Sequence, residues 1–140
     1  MEHFWFKSTL FEAEPNEDEE TNPRIYGKQL ASWLTNKLSQ IGYQNIECFP
    51  EDWGWCIIIF RKPFMLFVGC SNVYDYDTAK DGDPPPPKDK ITWACSVMTE
   101  IPFYRRLFKT IDTLHEKSKL ETVIEEILRN EKEVQLVEEP

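Results

Sequence analysis

Residues 55–70 read WCIIIFRKPFMLFVGC. Two apolar runs, 55–61 and 64–70, are separated only by Lys62 and Pro63. Each run is strand-sized, rich in Ile, Val and Phe, and apolar on both faces, the pattern of a central strand rather than a half-wet edge. So short a join predicts an antiparallel hairpin, and a sheet is therefore the frame of this chain.

The flanking segments extend that sheet. Upstream, residues 45–49 read as a short strand closed by the turn Pro50-Glu51-Asp52, and Phe4, Phe6, Ser8 and Leu10 alternate with His3, Trp5, Lys7 and Thr9 as a first strand. Downstream, Ile91, Trp93, Cys95 and Val97 alternate with Thr92, Ala94, Ser96 and Met98, and residues 133–137 suit a last edge strand. Asn22 as N-cap and Pro23 at the first helical position predict a helix whose apolar stripe is Tyr26, Leu30, Trp33, Leu34, Leu38 and Ile41, stopped by Gly42. Residues 102–108 suit a short helical turn. A second helix is expected over 119–129, with Leu120, Val123, Ile124, Ile127 and Leu128 inward. The order β-α-β-β-β-β-α-β predicts a single α+β domain over residues 1–140. It is a two-layer sandwich with a mostly antiparallel sheet and its helices on one face.

Composition narrows the function classes. A chain of 140 residues with five Trp and nine Phe has material for a core without staples. Its net charge of −9 argues against sequence-independent nucleic-acid binding and against an anionic membrane surface. No apolar run approaches membrane-span length, and the N-terminal stretch, acidic at position 2, lacks the apolar core of a secretory signal. Four scattered cysteines, Cys48, Cys56, Cys70 and Cys95, read as reduced thiols of a cytoplasmic protein.

The acidity is local. Residues 12–20, EAEPNEDEE, carry six carboxylates and no cation, within an acidic loop spanning 12–22. Glu17 to Glu20 precede the predicted helix, whose N-terminal end favours negative charge. That effect fades within a turn, so the run holds more charge than one helix end uses. A second loop, residues 71–90, is polar and ends in four consecutive prolines.

The segments FWFKSTLFEAEPNEDEETNP, YGKQLASWL, EDWGW at 51–55 and RKPFMLFVGCSNVYDYD from Arg61 together resemble a family of small bacterial proteins of unassigned function, over roughly the first half of the chain. The resemblance implies a soluble bacterial protein and transfers no functional residue.

No spacing for zinc, a dinucleotide loop or a phosphate loop occurs, and no cofactor or metal is expected. The calcium-loop order fails at Asp75, since its fifth, sixth and twelfth positions are Ala79, Lys80 and Pro86. The carboxylate pairs Glu51-Asp52, Asp75-Asp77 and Asp81-Asp83 suit hydrated turns. The basic cluster Arg105, Arg106 and Lys109 is too small a footprint for nucleic acid in so acidic a chain. In Trp53-Gly54-Trp55 both rings are expected as core plugs. A bend at Gly54 would instead leave one of them outside as an aromatic anchor rimmed by acids.

Two readings of function follow. The first is a non-catalytic acidic module, immunity-like or inhibitor-like, that binds a basic protein partner through Glu17, Asp18, Glu19, Glu20, Asp52 and Trp53. The alternative is a small hydrolase or transferase with its site between the sheet and the 71–90 loop, built from Cys70, Asp75, Asp77 and Glu51. A homodimer joined at an edge strand or an exposed Trp is a third expectation.

Overall fold

The computed structural model describes residues 2–74, 80, 82–106 and 110–140, and leaves the side chains of Arg105 and Arg106 undescribed. Strand β1 (His3–Ser8) leads through a 3-10 turn (Glu17–Glu19) to helix α1 (Lys28–Ile41). There follow β2 (Glu47–Glu51), β3 (Gly54–Phe60), β4 (Met65–Asn72) and β5 (Trp93–Glu100), then the short α2 (Phe103–Arg106), α3 (Leu114–Asn130) and β6 (Val134–Val137). The strands form one antiparallel sheet in the order β2-β3-β4-β5-β1-β6. The molecule is an α+β two-layer fold, with no described helix long and apolar enough to cross a membrane.

Register explains the core. Trp55 faces Cys70, Cys70 faces Cys95, and Cys95 faces Phe4, so one row of four buried side chains crosses four strands. Ile57, Val68 and Val97 make the next row. Leu30, Ala31, Leu34 and Leu38 of α1 and Leu120, Ile124 and Leu128 of α3 close over this face in the same cluster. Because β1 lies between β5 and β6, the β1-to-β2 connection has to carry α1 over the middle of the sheet, and α1 packs on β2, β3 and β4. The alternate row points to the other face: Ile58 opposite Phe67, and Phe67 opposite Met98.

Helix α1 begins at Lys28 rather than at Pro23. Residues 22–27 are held off the helical path by a tertiary anchor. The Asn72 side chain accepts the Tyr26 N–H at 2.9 Å and donates to the Arg24 carbonyl at 3.1 Å, while the Thr21 hydroxyl donates to the Ile25 carbonyl at 2.6 Å. Arg24 sits at φ 67° within this turn. The helix ends where the sequence stops it, at Gly42 with φ 121°, whose N–H reaches back to Leu38 and Ser39. Ile41, expected inward, is 55% exposed. Helix α3 starts earlier than its apolar stripe, at Leu114, whose N–H the Asp112 carboxylate accepts at 2.9 Å.

Candidate interaction site

The acidic run divides into an inward and an outward half. Glu17 is 3% exposed. One carboxylate oxygen accepts the Glu14 N–H at 2.9 Å; the other accepts the Gly27 and Lys28 N–H groups at 3.2 and 3.0 Å. Since Gly27 has no side chain to cap α1, Glu17 reaches back from ten residues away and satisfies the orphan amides itself. Burial raises its carboxyl above the ordinary value, and the three amides oppose that rise. Asp18, half-buried, accepts the Arg24 N–H at 2.8 Å and so fixes the same turn. Glu17 therefore presents no charge to a partner: its carboxylate is consumed by the fold.

Other charges in the run meet cations of the chain itself. Glu14 and Glu20 each lie 3.9 Å from the Lys28 ammonium, and Glu12 lies 3.8 Å from Lys88. These exposed pairs are weak and screened by salt. Glu19 is exposed and has no partner among the described residues.

Trp53 and Trp55 separate, as a bend at Gly54 allows. Trp55 is buried under α1 with the Lys28 ammonium 5.8 Å from its ring centroid, whereas Trp53 is 43% exposed. Gly54, at φ 148°, brings its backbone so close to β4 that a Cβ would lie 2.5 Å from the Cys70 carbonyl oxygen. The Trp53 ring is seated by a second glycine. A Cβ on Gly69 would lie 2.9 Å from that ring and 2.8 Å from the Met98 methyl. Glycine inside a strand weakens it, and here the missing side chain is the space in which the indole and the thioether lie down.

Around this corner lies a cleft of about 580 Å³, walled by Asn22, Pro23, Ile25, Asp52, Trp53 and the end of β4 from Ser71 to Tyr74. The Asn22 N–H donates to the Asp52 carbonyl at 3.1 Å, which ties the end of the acidic loop to the β2–β3 turn. Arg24 extends the tie to the second loop, donating to the carbonyls of Asp83 and Pro84, each at 3.1 Å. The structure thus brings Asp52, Trp53 and the tail of the acidic run to one corner.

Of the residues expected for an enzyme, Cys70 and Glu51 are described, and they stand apart. Cys70 is fully buried on the helix-covered face, its sulfur 3.8 Å from that of Cys95. Its hydrogen bond with Cys95, followed by burial, raises the thiol well above the ordinary value, the opposite of an activated nucleophile. Burial and then the Glu51 carboxylate push the Cys56 thiol up to about 12. Glu51 is exposed at the edge strand, and Asp75, Asp77 and Asp81 lie outside the described residues, as do Lys109 and the Arg105 and Arg106 side chains. Among the described residues no three His, Cys, Asp or Glu side chains converge as a metal site needs.

Residues that shape the corner include three that sequence reasoning passed over. Asn72 and Arg24 act through backbone partners more than forty positions away, which no local pattern announces. Gly69 carried a signal, because a lone glycine inside an apolar strand marks a close approach. No family model, curated protein or solved structure matches this chain.

Proposed function

We propose that this protein is a non-catalytic module that binds a basic protein partner, in the manner of an immunity protein or a charge-mimicking inhibitor. The observation that carries the reading is Trp53: an indole 43% exposed, yet seated over Gly69 and flanked by the exposed carboxylates of Glu51 and Asp52. An aromatic ring held in place before binding gives contact area at little entropic cost. Glu19 and Glu20 add exposed charge three and two residues before Asn22, whose N–H is bonded to the Asp52 carbonyl, and a net charge of −9 steers a cationic surface inward.

The test is capture from an extract of the source cells at low and high salt, followed by rate measurements on the purified pair. A basic protein should be retained at low salt and released at high salt. Replacing Glu19, Glu20 and Asp52 by their amides should slow association by roughly tenfold and flatten its salt dependence, whereas Glu17→Gln should leave the rate unchanged at equal folded fraction. Association rates indifferent to salt and to the triple change would defeat the proposal.

A further inference from the structure

Among the described residues the two long helices cover one face of the sheet, and the other face is apolar over β3, β4 and the end of β5, while β1 and β6 place His3, Lys7 and Gln135 on it. Cys56 and Ile58 of β3 are 3% and 4% exposed although they stand outside the helix-covered cluster. They are shielded by their neighbours on the same surface, where Phe49, Met65, Phe67 and Met98 are half-buried. Trp53 folds onto this surface from its edge, its ring and the Met98 methyl meeting over Gly69. The result is a continuous aromatic and thioether patch, made of side chains that adapt to a partner's shape without leaving the sheet.

We infer that this helix-free face is the docking surface for a protein partner with an apolar centre and a cationic margin. The inference rests on the basic-partner reading above and adds which surface is used. Its argument is the rim. Glu47 and Glu51 stand on this face of β2, Asp52 follows in the turn, and Glu100 closes the end of β5 opposite Met65. Glu47 is paired with Arg61 at 2.6 Å and adds no net charge, so among the described residues the rim is Glu51, Asp52 and Glu100, against Lys62 at the hairpin turn and Lys7 on β1. A second copy of the chain would set this acidic rim against its twin, in a molecule already carrying −9. A basic partner meets the same rim with complementary charge.

The experiment uses two synthetic strand-length peptides with identical apolar residues, one with lysines and one with glutamates at its polar positions. Each is titrated into the full chain carrying labelled methionine methyls and tryptophan indoles, observed by NMR. The lysine peptide should move the Met65, Met98 and Trp53 signals and bind at least about tenfold more tightly than the glutamate peptide. Met98→Lys and Met65→Lys, each checked for an unchanged melting curve, should abolish those shifts. Equal affinity for the two peptides overturns the inference. Lysine-peptide binding, seen by calorimetry, that leaves the Met65 and Met98 methyls unmoved overturns it while leaving the basic-partner reading intact, and failure of the lysine peptide to bind anywhere at millimolar concentration removes both. Methyl signals that change with protein concentration alone assign the face to a second copy and also overturn it.

Discussion

The two faces of this sheet are built from the same strands, one residue out of phase, and both are apolar over β3 and the first half of β4. On the helix-covered face Phe4, Ile57, Val68, Cys95 and Val97 are all buried, and two helices supply the second layer. On the other face Phe49, Met65, Phe67 and Met98 stop at half-burial, and the Trp53 ring meets the Met98 methyl over Gly69. A hydrophobic pattern on a strand therefore does not by itself announce a second layer. What distinguishes the faces is enclosure and rim: the helix-covered face is sealed, while the other adds methionine and a seated indole to its phenylalanines and ends in an acidic margin.

The sharpest way to break this comparison is to cut equivalent holes in both faces. Leu34→Ala, at a fully buried position of α1, should cost about 2–5 kcal/mol in denaturant unfolding. Phe67→Ala on the bare face should cost less, because part of its surface stays in water. Equal losses would mean that the bare face is covered in solution.

Next come the glycines that link the faces. Gly54→Ala combines φ 148° with a Cβ driven to 2.5 Å from a backbone carbonyl that cannot step aside, and should destabilise by about 2–3 kcal/mol. Gly69→Ala meets only the ends of the Trp53 and Met98 side chains. It should change stability by less than about 1 kcal/mol while lifting Trp53 off the sheet, visible as a red-shifted tryptophan emission.

The acidic run offers a smaller contrast of the same kind. Glu17→Gln replaces an acceptor with a donor that faces backbone N–H groups, and should cost about 1–2 kcal/mol. Glu19→Gln should stay within about 0.5 kcal/mol. The pH dependence carries a definite sign. Burial raises the folded-state Glu17 carboxyl above its unfolded value, so its ionisation opposes folding above the folded pKa. That penalty is relieved as pH falls through the folded pKa towards the ordinary carboxyl value. The stability advantage of wild type over Glu17→Gln should accordingly widen on acidification across that window, as read from paired denaturant titrations. A gap that narrows would show that the three amides outweigh desolvation.

The smallest effect concerns the thiols. Cys48 is exposed, whereas Cys56, Cys70 and Cys95 are buried. A native-state alkylating agent should label Cys48 first and reach Cys70 and Cys95 only on unfolding. Rapid native labelling of Cys70 would reopen the enzyme reading that its burial disfavours.

Much of the architecture was legible in short-range pattern. Residues 55–70 alone announced the central hairpin, Gly42 the end of α1, and the stripe from Leu120 to Leu128 the second helix, because strand and helix periods are properties of neighbouring side chains. Asn22-Pro23 misled for a stated reason: a good local cap lost to Asn72, a tertiary partner. The candidate site was less legible. Asp52 and Trp53 were visible as an acid-rimmed aromatic, but which tryptophan stays outside depended on how Gly54 and Gly69 pack against β4.

By itself the sequence determined most of the elements, the antiparallel hairpin at 55–70 and the concentration of negative charge in residues 12–20, since each is encoded within a few positions. Only the tertiary structure decided how that charge is divided. Glu17 is spent on amides of α1 because the loop folds back beneath the helix, a distance of eleven residues along the chain and 3.0 Å in space. It also decided which face of the sheet stays bare, because strand alternation defines two faces and only the path of the connections chooses the one that the helices cover.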